Sequence, residues 1–86
     1  MNFLDFCTKI LCLKSLFDFS VTSWIRSQKR NEAVGGKDDS LHLVGLACDV
    51  VLEDPSQADA LIYSCKRLGL VAIKYVDCIH IQIPYE

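Results

Sequence analysis

A helix with recognisable signals at both ends constrains the fold of this chain more than any other segment. Asp54 is suited to cap the helix, Pro55 to take its first position and Gln57 to complete a capping box. Gly69 follows the basic end of the same segment, where helices commonly stop at glycine. Its apolar side chains recur at helical spacing, at Ala58, Leu61, Ile62, Cys65 and Leu68. The rest of the chain must therefore supply a core for this stripe to cover.

Three short apolar runs predict the strands that form this core. Residues 70–75 and 78–83 are separated by only two residues, which predicts a β-hairpin. Residues 47–52 form a further predicted strand, from which Asp49 points on one face. The tight hairpin is expected to bring His80 back toward Asp49.

The N-terminal part predicts a second helix and a fourth strand. Residues 2–16 indicate an amphipathic helix capped by Asn2. Its apolar face is expected at Phe3, Leu4, Cys7, Ile10 and Leu11. Alternation over residues 17–24 predicts a strand, and the polar, glycine-containing stretch 26–40 predicts a loop. These elements predict one α+β domain over residues 1–86, in which a small antiparallel sheet packs against two helices.

Charge and cysteine content exclude several classes of protein. A net charge of −2 and a pI of about 5.6, without clustered lysines, argue against a nucleic-acid partner. The five cysteines are an odd number without a Cys-x-x-Cys pair, which argues against a disulfide framework and a thiolate zinc site. They are expected to be small buried hydrophobic residues in a reducing compartment.

The N-terminus is apolar but does not have the pattern of an export signal. It begins without basic residues, carries Asp5, Lys9 and Lys14 within the apolar run, and has no small-x-small cleavage site. The run is also too interrupted to span a bilayer. We therefore expect synthesis in the cytoplasm without a signal peptide, so that a target elsewhere is reached only after release or delivery.

The chain has only two histidines, His42 and His80. His42 precedes Asp49 by seven residues in the run SLHLVGLACD, and the small residues Gly45 and Ala47 between them allow close backbone approach. Two histidines and one carboxylate make three ligands, the number that a catalytic zinc site takes while a fourth position stays open for water. The sequence thus predicts a Zn²⁺ site at His42, Asp49 and His80, which suggests a hydrolase.

The segment around these residues resembles the zinc peptidases that include D-alanyl-D-alanine carboxypeptidases and phage or bacterial peptidoglycan endopeptidases, grouped with hedgehog and lysostaphin by their metal site. The family pattern runs Arg-Ser, Asn, a Val-Gly-Gly loop, Ser-x-His-x-x-Gly-x-Ala-x-Asp, and later a His on a strand. It is matched at Arg26, Ser27, Asn31, Val34, Gly35, Gly36, Ser40, His42, Gly45, Ala47, Asp49 and His80. The resemblance implies hydrolysis of peptidoglycan stem peptides, and its small members include phage endolysins.

The resemblance also implies roles for residues beside the three ligands. Asp77 stands three residues before His80, the relation in which related endopeptidases carry the catalytic base. Arg26 matches the family arginine that binds substrate or stabilises the oxyanion. Ser40 and Gln82 are expected to support a metal ligand or to contact substrate, and relatives often have an acid in place of Gln82. The expected partner is a peptidoglycan peptide at the bacterial cell wall.

Several alternatives stay open. Trp24 and Ile25 replace the Gly and Tyr that commonly precede the family arginine, and Trp24 either lines the cleft or packs in the core. Asp77 is also suited to be an ordinary turn residue, and Arg26 to be a solvated loop charge. The rival function is a zinc-stabilised module that binds cell-wall peptide or a partner protein without cleaving it, which Gln82 favours. A cytosolic interaction protein without zinc is the third alternative.

Overall fold

The computed structural model describes residues 1–24 and 45–84. Within these ranges the chain forms α1 (Phe3–Leu16), β1 (Phe19–Ser23), β2 (Ala47–Leu52), a 3₁₀ turn (Pro55–Gln57), α2 (Ala58–Arg67), β3 (Val71–Lys74) and β4 (Ile79–Gln82). The strands form one antiparallel sheet in the order β1-β2-β4-β3. The predicted α+β class is therefore confirmed, and the predicted loop at 26–40 lies outside the described residues.

The two faces of the sheet carry different kinds of side chain. On one face Val50 and Ile81 lie in a buried apolar core that includes side chains of both helices. Because neighbouring residues of a strand point to opposite faces, Asp49, His80 and Gln82 lie on the other face. The two helices thus pack against one face of the sheet, as the sequence predicts, and polar site candidates occupy the opposite face.

The strands follow the predicted positions with small differences in length. β2 has the predicted bounds, whereas the two hairpin strands are shorter than predicted at their ends. Tyr75 donates its N–H to the carbonyl of Cys78 at 2.8 Å and so closes the hairpin turn. β1 begins later than predicted because Phe17 belongs to the end of α1, where its N–H donates to the carbonyl of Leu13 at 2.9 Å.

α1 begins at the predicted cap, but its predicted buried face is confirmed only at Ile10. The side chain of Asn2 accepts a hydrogen bond from the N–H of Asp5 at 2.8 Å. The buried side chains of α1 are Phe6, Ile10 and Leu13. The predicted residues that are instead exposed are Phe3, Leu4 and Leu11. α1 is apolar around most of its circumference, so contact with the sheet selects the buried face.

Neither helix in the described part of the chain has the length and the apolar content that a membrane span requires.

The start of α2 follows the sequence signals with two corrections, of which the first is that Pro55 opens a 3₁₀ turn and α2 itself begins at Ala58. Asp54 caps the 3₁₀ turn, and its carboxylate accepts hydrogen bonds from the N–H and the hydroxyl of Ser56 at 3.0 and 2.7 Å. The predicted capping box with Gln57 is wrong, because the N–H of Gln57 donates to the backbone carbonyl of Asp54 at 3.1 Å. The predicted buried stripe of α2 is confirmed at Ala58, Leu61 and Cys65.

Gly69 ends α2 in the left-handed region of backbone space, with a φ of 77°. The N–H of Leu70 donates to the carbonyl of Cys65 at 2.9 Å across this turn, as in a Schellman motif. We expect Gly69→Ala to lower the free energy of unfolding by about 1–2 kcal/mol, because an L side chain is strained in this conformation. Its Cβ would meet no atom closer than Nζ of Lys9 at 3.9 Å, so steric overlap adds little. An unchanged urea midpoint would contradict this account of the helix end.

All five cysteines are free thiols, and their environments differ. Cys48 and Cys65 are buried in the core, as predicted, whereas Cys12 is exposed and the prediction is wrong there. Burial raises the pKa of Cys48 to about 12, and the neighbouring carboxylate of Asp49 adds to this shift. Burial also raises the pKa of Cys65 to about 11. A buried thiol with a raised pKa stays protonated and unreactive.

We expect dithiobis(nitrobenzoic acid) to modify Cys12 rapidly in the native protein, and to reach Cys48 and Cys65 only after unfolding. A time course with and without urea measures this, and Cys12→Ser should remove the fast phase. Rapid native modification of Cys48 or Cys65 would contradict the burial of these thiols.

The raised pKa values of the two buried thiols also predict how stability depends on pH. Both thiols ionise more readily in the unfolded chain, where the ordinary pKa is 9.0, so the free energy of unfolding should fall as the pH rises from about 9 toward 12.

Candidate metal centre

Asp49 and His80 lie at the centre of the sheet face opposite to the helices. They are directly paired residues of the antiparallel strands β2 and β4. Nδ1 of His80 lies 2.9 Å from Oδ1 of Asp49, and the two side chains are 16 % and 18 % exposed, respectively. The hairpin therefore brings His80 back to Asp49 and leaves the pair accessible to small molecules.

These two atoms fit the requirements of a zinc ion. Two ligand atoms of tetrahedral zinc, each about 2.0–2.1 Å from the metal, lie roughly 3.3 Å apart. The observed 2.9 Å between Nδ1 of His80 and Oδ1 of Asp49 needs only a small opening to reach that separation. Within residues 1–24 and 45–84, no group of three His, Cys, Asp or Glu side chains is placed to hold a metal ion. His42 lies outside those ranges, so the three-ligand set stays a prediction.

The other ring nitrogen of His80 is bound by Gln82. Nε2 of His80 lies 2.8 Å from Oε1 of Gln82, two residues further along β4. Gln82 is only 7 % exposed, and its amide nitrogen donates to the carbonyl of Ile83 at 3.2 Å. The imidazole of His80 is thus held between a carboxylate on one edge and an amide oxygen on the other.

The hairpin turn brings further side chains close to this pair. The ring of Tyr75 stands edge-on to the ring of His80, with centroids 6.4 Å apart. Burial raises the pKa of the Cys78 thiol, and the carboxylates of Asp49 and Asp77 raise it further, so both carboxylates lie near this one thiol. Tyr75, Asp77 and Cys78 also line a groove of about 210 Å³ between the hairpin and the end of β2. The groove extends toward Pro55 and Ala58 at the start of α2, and neither Asp49 nor His80 lines it.

Comparison with sequence models of protein families identifies the family of this chain. The sequence model of the Peptidase M15 family matches residues 4–82. The chain belongs to the Peptidase M15 family. This membership indicates a metallopeptidase. The M15 family is of the zinc D-Ala-D-Ala carboxypeptidase type, and its peptidases typically depend on zinc. Comparisons with curated proteins and with solved structures give no match.

Small residues in the M15 pattern have clear structural reasons. Gly45 has a φ of 74°, a conformation that costs little only for glycine. Ala47 is fully buried on β2, where it pairs with Gln82. Trp24 packs edge-on against Phe6 with centroids 5.7 Å apart, and its Nε1–H donates to the carbonyl of Gly45 at 2.8 Å. Trp24 therefore packs against the core. Its hydrogen bond to Gly45 connects the residue after β1 with the segment just before β2.

The structure groups four of the predicted site residues. Asp49, His80 and Gln82 share one face, and Asp77 lies in the adjoining hairpin turn. The predicted site residues outside the described ranges are Arg26, Ser40 and His42, together with Ile25 and the Val-Gly-Gly loop. The metal, catalytic and substrate roles of all these residues stay predictions.

Proposed function

We propose that this chain is a zinc-dependent peptidase that hydrolyses peptide bonds in the stem peptides of peptidoglycan, as a carboxypeptidase or an endolysin-type endopeptidase. The cross-strand pair of Asp49 and His80 carries the proposal, because its two donor atoms suit one zinc ion. Membership of the M15 family supports peptidase chemistry at this pair. His42, which occupies the histidine position of the family pattern, is the proposed third ligand.

The proposed chemistry uses two charged side chains beside the ligands. Zinc, when bound, polarises a scissile carbonyl and makes a water molecule more acidic. Asp77 accepts the proton of that water as general base and passes it to the leaving amine. Its place in the hairpin turn, three residues before His80, supports this role. Arg26 supplies a permanent positive charge for the oxyanion or a substrate carboxylate.

One observation favours a second candidate, a zinc-stabilised module that binds cell-wall peptide without cleaving it. Gln82 places a neutral amide next to His80 where related peptidases often have an acid. An amide cannot act as a general base or carry the negative charge of a carboxylate. Such a module would bind zinc and muropeptide but would release no new amino termini.

Digestion of purified muropeptides, followed by mass spectrometry, separates these candidates. We expect wild-type protein with zinc to release products of defined mass, and EDTA to abolish that release. Asp77→Asn should lower the rate by about 10²–10⁴-fold, the usual contribution of a general base, while zinc affinity stays at the wild-type value. Asp59→Asn, which changes an exposed carboxylate on α2, is the matched control and should keep full activity.

The possible outcomes point to different conclusions. Zinc and muropeptide binding without cleavage would overturn the peptidase in favour of the binding module. Cleavage that survives complete removal of zinc would overturn the zinc mechanism. Zinc-dependent cleavage at full rate by Asp77→Asn would leave the peptidase in place and remove Asp77 as its base.

A further inference from the structure

The hydrogen bonds of Gln82 determine that one particular ring nitrogen of His80 carries a hydrogen. The amide nitrogen of Gln82 faces the carbonyl of Ile83 at 3.2 Å, and a carbonyl oxygen can only accept a hydrogen bond. The amide oxygen of Gln82 therefore faces His80 and lies 2.8 Å from Nε2. Because an amide oxygen also can only accept, Nε2 of His80 must carry a hydrogen.

This hydrogen decides which nitrogen of His80 remains for a cation. In a neutral imidazole only one ring nitrogen is protonated, so the lone pair lies on Nδ1. Nδ1 is 2.9 Å from Oδ1 of Asp49, and that carboxylate oxygen is also an acceptor. Two electron-rich atoms at this distance require a positive species between them, either a proton or a metal ion.

We propose that Gln82 is a positioning residue, whose amide oxygen holds the Nε2–H tautomer of His80 and thereby selects Nδ1 as the zinc-binding atom. The inference rests on the proposed zinc site and assigns the ligand atom within it. A metal-bound histidine usually donates its second N–H to a carboxylate, a backbone carbonyl or water. Here an almost completely buried side-chain amide serves as that acceptor and adds no second negative charge beside Asp49.

Zinc affinity, measured by competition with a chromogenic chelator, tests the role of Gln82. Gln82→Met removes the acceptor at nearly constant size, and we expect it to weaken zinc binding by about 10–100-fold, as losses of such supporting hydrogen bonds usually do. Gln82→Glu keeps an acceptor oxygen and should bind zinc at least as tightly as wild type. Gln57→Met changes an exposed glutamine and should leave zinc affinity unchanged.

Long-range ¹H–¹⁵N NMR of the zinc-loaded wild-type protein gives a second test that needs no Gln82 variant. We expect Nε2 of His80 to be protonated and Nδ1 to show the shift of a metal-bound nitrogen. The chain has only two histidines, and through-bond correlations from each ring to its own backbone assign the two sets of signals.

The outcomes distinguish this inference from the proposed function. Wild-type protein that binds no zinc would overturn the proposed function itself. Wild-type zinc binding together with wild-type affinity in Gln82→Met would overturn the role of Gln82 alone. A zinc-bound His80 that carries its hydrogen on Nδ1 would also overturn the role of Gln82 and leave the proposed function in place.

Discussion

Asp49→Asn is expected to abolish stoichiometric zinc binding and to lower the peptidase rate about a thousand-fold. Asp49 supplies the only carboxylate of the predicted ligand set, and a neutral amide oxygen is a much weaker ligand for zinc. Loss of the metal removes several kcal/mol of transition-state stabilisation, which corresponds to about three powers of ten in rate. Metal analysis after dialysis, together with muropeptide digestion, measures both effects.

Asp18→Asn provides the matched control for this variant. Asp18 is an exposed carboxylate just before β1, so its replacement should change neither zinc content nor rate. Circular dichroism establishes that both variants keep the wild-type secondary structure. If folded Asp49→Asn retained one zinc per chain and more than about a tenth of the rate, Asp49 would not be a ligand of the catalytic metal.

Phe6→Ala is expected to remove most of the stability of the domain. Phe6 is fully buried between α1 and the sheet, and its ring packs edge-on against Trp24. Truncating a buried phenylalanine costs about 3–5 kcal/mol through lost apolar contact and the cavity that remains. A chain of 86 residues has a total stability of only about 4–13 kcal/mol. Urea denaturation of both proteins measures the difference.

Leu4→Ala is the control within the same helix. Leu4 is 71 % exposed, and we expect its replacement to change the free energy of unfolding by no more than about 0.5 kcal/mol. The comparison also tests which face of α1 is buried, because the sequence predicts Leu4, and not Phe6, on the core side. Equal losses in the two variants, or a larger loss in Leu4→Ala, would contradict the packing of α1.

The elements that the sequence predicts best are those with local signals. Asp54 caps the 3₁₀ turn that leads into α2, and Gly69 follows the end of α2, each through hydrogen bonds that span only a few residues. The hairpin that follows has a short turn between two apolar runs, so its strands have few alternative pairings. Sequence neighbours alone decide these features, and tertiary contacts do not override them.

The face of α1 could not be predicted because its apolar residues offer more than one stripe. Phe3, Leu4 and Leu11 form a helical stripe together with Ile10. Phe6 and Leu13 form another stripe with the same residue, and this second stripe is buried. The choice depends on which side of the helix the sheet covers, and that is a property of the assembled fold. Periodicity identifies a helix but selects its buried side only when the opposite side is polar.

The pairing of Asp49 with His80 could be predicted from the sequence, whereas the contact of His80 with Tyr75 could not. The hairpin and the alternation of side chains together predict that His80 returns to the face of Asp49, and the register places them directly opposite. Gln82 lies two residues after His80 on the same strand, so their shared face follows from strand alternation alone. The contact of His80 with Tyr75 instead depends on the pairing of the two hairpin strands, in which a shift by one residue would move side chains to the other face. Tyr75 was missed for this reason, although an aromatic residue just before the turn was a signal.

The central claim is that Asp49 and His80 share one zinc ion. A crystal structure of the zinc-loaded protein, with anomalous data collected at the zinc absorption edge, tests it most directly. We predict a single strong anomalous peak about 2.0–2.2 Å from both Oδ1 of Asp49 and Nδ1 of His80, with His42 as the third protein ligand. Zinc-loaded crystals in which no peak lies within bonding distance of Asp49 and His80 would contradict the account.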